Sequence, residues 1–199
     1  VRLKTGLVLD PYFSATKLAW LLDETPGLRA RARRREAFFG TVDSWLLWNL
    51  TGGREHATDL TNASRTMLFD IGRARWDEGL LSLFGVPAAM LPRALPSGGS
   101  FGVTAGPGHL PPGVPVTAML GDQQAALYGQ SCYGPGLVKN TYGTGCFVVA
   151  NMGPRRGKAP AGLLATLACD EDGRKTYALE GSVFAAGAAV QWLRDGLGV

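Results

Sequence analysis

The stretch AMLGDQQAALYGQ, residues 118–130, places one carboxylate, Asp122, after an apolar β-prone run and before a short-sided, helix-permissive one. Residues 114–120 are expected to form a strand and 123–130 a helix, so Asp122 falls where one hands over to the other. Open α/β sheets gather their ligands at such junctions. A carboxylate there can take a proton from a bound hydroxyl, which makes Asp122 a candidate general base. It can equally cap the helix that follows, and taken alone the residue does not separate these roles.

Two further patterns lie downstream. In NTYGTG, residues 140–145, a Gly-Thr-Gly turn between β-prone runs leaves the backbone uncrowded. Successive amides and the Thr144 hydroxyl can then surround an anion, or the turn can be an ordinary hairpin. Further on, Gly187 and Gln191 stand four apart in an Ala/Gly-rich segment and share a helix face. A glycine there lets a bulky group approach and an amide one turn on can hydrogen-bond it, although core packing also accounts for the pattern. A carboxylate, an amide-lined turn and a glycine-faced helix in that order fit a phosphoryl-transfer enzyme without a P-loop. Two look-alikes do not qualify. GGSFG, residues 98–102, has the GxSxG spacing but follows Pro96 and precedes a Pro/Gly loop, where a nucleophile elbow needs a strand and a helix. GPRRGK, residues 153–158, is one spacer short of a Walker loop, with Ala159 where a Ser or Thr should stand.

The elements that must position these groups follow from periodicity and punctuation. Helices are expected over residues 14–23, with Leu18, Leu21 and Leu22 on one stripe and Ser14 or Thr16 as cap, over 39–50, stopped at Thr51-Gly52-Gly53, and over 76–84, closed by Gly85-Val86-Pro87. Residues 91–115 turn Pro- and Gly-rich and read as loop or short edge strand. Runs 137–142 and 146–150 form a hairpin about Gly143-Thr144-Gly145. A second pair, 163–169 and 175–180, flanks a turn at 170–173, and 181–193 closes as a buried helix. A domain boundary falls near 129–136.

Composition narrows the class. With 199 residues and 46% apolar content the chain can bury a sizeable core. The net charge of +4 owes much to LRARARRRE, residues 28–36, read as a solvated helix face. No basic stripe interleaved with aromatics tracks a nucleic acid, and no window reaches the ~18 apolar residues of a membrane span. Three scattered cysteines and two histidines argue against a disulfide framework or structural zinc. A cytoplasmic protein is expected. Because position 1 is Val, the chain is also expected to be a piece of a longer protein.

YFSATKLAWLLDE (12–24) resembles the first signature of the FGGY carbohydrate kinases. LVLDPYFS (7–14), FGTVDSW (39–45), TDLTNASRTMLF (58–69), GDQQAA (121–126) and KNTYGTGCF (139–147) resemble the members that act on glycerol. The resemblance implies an α/β, actin-like ATPase, ribonuclease-H-like fold of two domains with ATP in the cleft. Residues 1–132 would be the latter part of the substrate-binding first domain, and 136–199 the beginning of the nucleotide-binding second. It implies Asp122 as the base, Tyr12 and Gln123 as glycerol contacts and Phe147 as a ring against the carbon chain. Thr144 would contact phosphate, and Gly187 and Gln191 the nucleotide. ATP and Mg²⁺ are the implied cofactors, with the metal's ligands unassigned. Glycerol and ATP/ADP are the implied partners, with no nucleic acid and no membrane span, and the full-length enzyme would be a homo-oligomer, dimer or tetramer.

Several family parts lie outside these residues: the N-terminal Asp-Gly-Thr-Thr phosphate loop, an Arg-Glu pair in the glycerol pocket and a later glycine-rich adenine segment. The 199 residues alone are therefore expected to be inactive. The inhibitory-sugar loop of some bacterial members has Leu110-Pro111-Pro112-Gly113 in its place, without the arginine, and His109 reads as an ordinary loop histidine. A kinase for another polyol or sugar, and a non-catalytic truncated fragment, remain the alternatives.

Overall fold

The computed structural model describes residues 1–106, 108–169 and 174–199. The chain opens with α1 (Arg2–Thr5), α2 (Ser14–Glu24), α3 (Leu28–Arg33), α4 (Val42–Leu50), β1 (Ala57–Asp59), α5 (Leu60–Ala63), β2 (Phe69–Asp70), β3 (Arg75–Trp76) and α6 (Glu78–Leu83). There follow β4 (Arg93–Leu95), β5 (Val103–Ala105), β6 (Pro112–Pro115) and α7 (Asp122–Gly129). Last come β7 (Val138–Tyr142), β8 (Cys146–Gly153), β9 (Leu164–Leu167), β10 (Tyr177–Val183) and α8 (Gly187–Trp192), ending in a wider helical turn at Leu193–Leu197.

The long amphipathic elements form where periodicity placed them, and local hydrogen bonding sets their ends. In α2, Leu18 and Leu22 bury one stripe, whereas Leu21 stays 43% exposed because it is rotated off that stripe. Phe13 takes the cap position, so neither Ser14 nor Thr16 caps the helix. α3 carries the basic run, with the Arg34 guanidinium paired to Glu36 at 2.8 Å. α4 starts three residues later than expected, because the Phe39 amide bonds the Met90 carbonyl at 2.7 Å instead of turning into a helix. α6 starts at Glu78, where Asp77 caps it by accepting from the Leu80 amide at 2.9 Å, and Trp76 pairs with Phe69 in a short hairpin instead.

Two expectations need larger correction. Of residues 114–120 only the first two belong to a strand; the rest runs extended beside 97–102 through Phe101 N to Val116 O, Gly99 N to Thr117 O and Met119 N to Ser97 O, at 2.9–3.0 Å. Pro115 lacks a donor and the partner segment is glycine-rich, so no regular ladder forms. Residues 181–183 are strand, paired with Phe147 and its neighbours, and α8 begins only at Gly187 with no buried residue. Cross-strand pairing outweighs the helix-like look of its small side chains.

The main sheet has four antiparallel strands in the order β7-β8-β10-β9. Its pairing puts Lys139, Val149 and Glu180 opposite one another in one row, hence on one face, with Thr141, Phe147 and Thr166 on that face by period-two alternation. Leu127 of α7 packs there with Val149 and Ala178. The opposite face presents Ala165, Leu167 and Tyr177 to Leu60, Ala63, Phe69 and Ile71. A separate cluster of Leu7, Phe13, Leu18, Leu22, Met67, Leu68 and Leu81 holds the N-terminal helices together.

The outer edge of β9 is covered by the residue that ends α1. Ala165 donates its amide to the Gly6 carbonyl at 3.1 Å, and Gly6 has φ +77 with the Ala165 backbone filling the place of a Cβ. Only glycine fits that position without displacing the strand. The expected turn at 170–173 lies outside the described residues.

Candidate active site

The backbone that delivers Asp122 is anchored by a buried carboxylate. Asp59, at the end of β1, caps α5 by accepting from the amides of Thr61 at 2.9 Å and Asn62 at 3.0 Å. It also accepts from the Thr61 hydroxyl and the Ser97 hydroxyl, both at 2.7 Å, and from the Asn62 side chain at 2.8 Å. The Thr61 hydroxyl, its proton given to Asp59, accepts from the Gly121 amide at 2.8 Å. Gly121 is thereby fixed as the residue that opens α7, and Asp122 becomes the first residue of that helix rather than its cap. Its side chain is exposed, so a simple capping role is not what the residue does.

A buried lysine holds the neighbouring side chain. Lys139 is 1% exposed, and its ammonium donates to the Thr141 hydroxyl at 2.8 Å, to the Phe147 carbonyl at 3.2 Å and to the Gln123 side-chain oxygen. The Gln123 side-chain nitrogen in turn donates to Asp122 Oδ2 at 3.0 Å. Burial pushes the Lys139 ammonium below the usual lysine range, and the negative charges of Asp122 and Glu180, with Cys132, work against that shift. Glu180 also accepts from Arg65 Nη2 at 2.8 Å, and the Arg65 guanidinium sits over the Phe13 ring, 5.4 Å from its centroid. Asp122, Gln123 and Phe147 thus meet around one cation. One residue on, Gln124 is buried and ties α7 to β9 by donating to the Leu167 carbonyl at 3.2 Å.

The Gly143-Thr144-Gly145 turn of the β7–β8 hairpin is built differently from the expected nest. Its carbonyls face α8: Thr144 accepts from the amides of Ala186 at 2.8 Å and Ala188 at 3.2 Å, and Gly143 from that of Gly187 at 3.0 Å. The α8 amides are consumed in this contact, while the Thr144 amide and hydroxyl have no hydrogen-bond partner among the described residues. Gly187 has a structural reason to be glycine, because a Cβ there would collide with the Gly143 carbonyl. Gln191, one turn on, is exposed. Tyr12 stands apart from both groups: it is 60% exposed and packs edge-on against Phe13 at 5.3 Å. A cavity of about 450 Å³ behind α7, lined by Gln124, Leu127, Cys132, Asn151 and Arg174 among others, includes none of Tyr12, Asp122, Gln123, Thr144, Phe147, Gly187 and Gln191.

Residues 1–129 match the model of the FGGY family of carbohydrate kinases, N-terminal domain. The chain belongs to the FGGY family of carbohydrate kinases. It is 59% identical to a glycerol kinase of Methylobacterium nodulans over 98% of its length and 39% of that protein. It is 61% identical to one of Alcanivorax borkumensis over 99% of its length and 39% of that protein. The chain therefore spans about two fifths of the length of these curated relatives. Among solved structures, Plasmodium falciparum glycerol kinase with ADP matches all of the chain and 40% of its own with a TM-score of 0.93 at 36% identity. The fold is thus the α/β, actin-like, ribonuclease-H-like one expected.

The residues expected from the sequence stand at element ends, and the charged groups beneath them carry no local signal. Lys139 and Arg65 lie inside the motifs at 139–147 and 58–69 without an expected role, and Glu180 only ends an expected strand. Registering the hairpin would have exposed Lys139, which falls opposite the buried Val149. No group of three or more His, Cys, Asp or Glu that could hold a metal occurs among the described residues, and no helix among them is long and apolar enough to cross a membrane.

Proposed function

We propose that this chain is the central part of a glycerol kinase that transfers the γ-phosphoryl group of ATP to a terminal hydroxyl of glycerol, giving sn-glycerol 3-phosphate. The observation that carries it is the Asp122–Gln123 pair held over Lys139, in a chain 59–61% identical to curated glycerol kinases. As the hydroxyl oxygen bonds to phosphorus and the bond to ADP breaks, Asp122 accepts the hydroxyl proton. Phosphoryl transfer asks the protein chiefly for alignment and charge balance, and an exposed carboxylate fixed at its backbone supplies the first.

Tyr12 and Gln123 would hold glycerol hydroxyls, and Phe147 would pack on the carbon chain. The free amide and hydroxyl of Thr144 suit a phosphate oxygen, with Gly187 and Gln191 beside the nucleotide. Mg²⁺ would arrive with ATP. Residues 1–132 then close the first domain and 136–199 open the second, in a cytoplasmic homo-oligomer. In the full-length enzyme, Asp122→Asn should lower glycerol-dependent ADP formation by about 10²- to 10⁴-fold with an unchanged circular dichroism spectrum. Wild-type turnover in that variant would remove Asp122 from the role of base.

A further inference from the structure

Lys139 is a costly residue to place here. A solvated ammonium lost to the interior needs all its protons satisfied, and an apolar side chain of the same length would fill the space without that demand. Its three protons meet three acceptors: Gln123 Oε1, Thr141 Oγ1 and Phe147 O. The amide of Gln123 has two faces of different chemistry, an oxygen that only accepts and a nitrogen that only donates. Because the ammonium can only donate, it fixes which way that amide is turned. The nitrogen is then on the far side, where it meets Asp122 Oδ2 at 3.0 Å.

We propose that Lys139 is a positioning residue of the phosphoryl-transfer site, locking the Gln123 amide so that it holds Asp122 Oδ2 and leaves Oδ1 for the acceptor hydroxyl. This rests on the glycerol kinase reading given above. Asp122 from α7 and Glu180 from β10 face the ammonium, with Cys132 nearby, and Arg65 faces Glu180 from beyond. Two cations and two carboxylates alternate in the cluster, so neutralising Lys139 removes both the fixed turn of the Gln123 amide and the positive charge between Asp122 and Glu180. The backbone carbonyl of Phe147 is held by the same ammonium, so the ring wall of the pocket and its polar floor are set together.

The test uses the full-length enzyme with Lys139→Met, Lys139→Gln and Lys139→Arg, each checked for folding by circular dichroism and thermal melting. In the two neutral variants, the KM for glycerol should rise and kcat fall, each by about 10-fold or more, as expected for losing a hydrogen bond to a charged group. The KM for ATP should stay within about twofold, a split that a generally loosened fold would not give. Lys139→Arg, which keeps a donor-only cation beside Gln123, should recover most of the loss in KM for glycerol. If Lys139→Met does not fold, Lys139→Gln and Lys139→Arg carry the same comparison. A folded neutral variant with an unchanged KM for glycerol would overturn the inference while the wild-type activity stands. A wild-type enzyme without glycerol-dependent turnover would instead sink the kinase reading, and this inference with it.

Discussion

The Arg65–Glu180 pair joins the segment after α5 to the main sheet, and removing its acidic half should be among the most damaging single changes in the chain. Across 2.8 Å the Coulomb attraction is about 6 kcal/mol at an effective dielectric of about 20. Desolvation of two ions offsets most of that, so the pair is a weak stabiliser as a pair, but removing one partner strands the other at about 3–5 kcal/mol. Glu180 is 4% exposed, pairs with Arg65 and is one of two carboxylates whose charge acts on Lys139, so Glu180→Gln strands the Arg65 guanidinium and also weakens the field at Lys139. Arg65→Met leaves Glu180 without an ionic contact but still within the field of Lys139, and the Arg65 Nη1 that the change deletes is buried without a partner. Glu180→Gln should therefore cost about 3–5 kcal/mol and Arg65→Met clearly less, with the double variant cheaper than the sum by at least about 1 kcal/mol. Urea unfolding followed by tryptophan fluorescence at neutral pH gives all three numbers. Equal costs for the two single changes, or strict additivity, would refute the idea that Glu180 serves two cations.

Two smaller predictions concern the opposite end of the chain. Gly6→Ala should destabilise by roughly 2–4 kcal/mol, combining left-handed strain with a clash against the Ala165 backbone, whereas Gly27→Ala, at φ +74 with open space around it, should cost only about 1 kcal/mol; similar melting temperatures for both would exclude the clash. The Lys4 ammonium, at 2.6 Å, holds the Asp77 carboxyl below its usual range, so this pair adds stability above about pH 4 and loses it as pH falls through the lowered value; Asp77→Asn, with Lys4 half-exposed, should cost about 0.5–1 kcal/mol at pH 6 and almost nothing near pH 2.5, and a gap independent of pH would contradict it.

What could be read from the sequence was whatever a single segment decides for itself. The α2 helix with Leu18 and Leu22 buried, the β7–β8 hairpin and the helix that begins at Asp122 rest on local periodicity and turn chemistry, and they appear where expected; the strand before Asp122 does not. Elements of two to four residues, such as α1, α5 and β1 to β3, have too few positions for a period to show. The start of α8 is not legible locally, because Gly181-Ser182-Val183 is decided by its partner strand, residues 146–148, a contact no window contains. Lys139 is hidden for the same reason: within residues 137–142 it looks like a solvated edge residue, and only the pairing with Val149 and the cover of α7 bury it.

Asp122 is held from two sides. Its backbone is set from the N-terminal side, where Asp59 orients the Thr61 hydroxyl onto the Gly121 amide. Its side chain is set from the C-terminal side, where Lys139 turns Gln123. One set fixes the backbone and the other the carboxylate, so the geometry of Asp122 depends on how the segment 57–64 sits against the sheet of β7 to β10. Arg65 to Glu180 and the Ser64 hydroxyl to the Thr166 hydroxyl, both at 2.8 Å, are the polar ties that fix this seating. A change at Glu180 should therefore disturb Asp122 twice, by loosening the seat of its backbone anchor and by altering the field around the lysine that aims its neighbour.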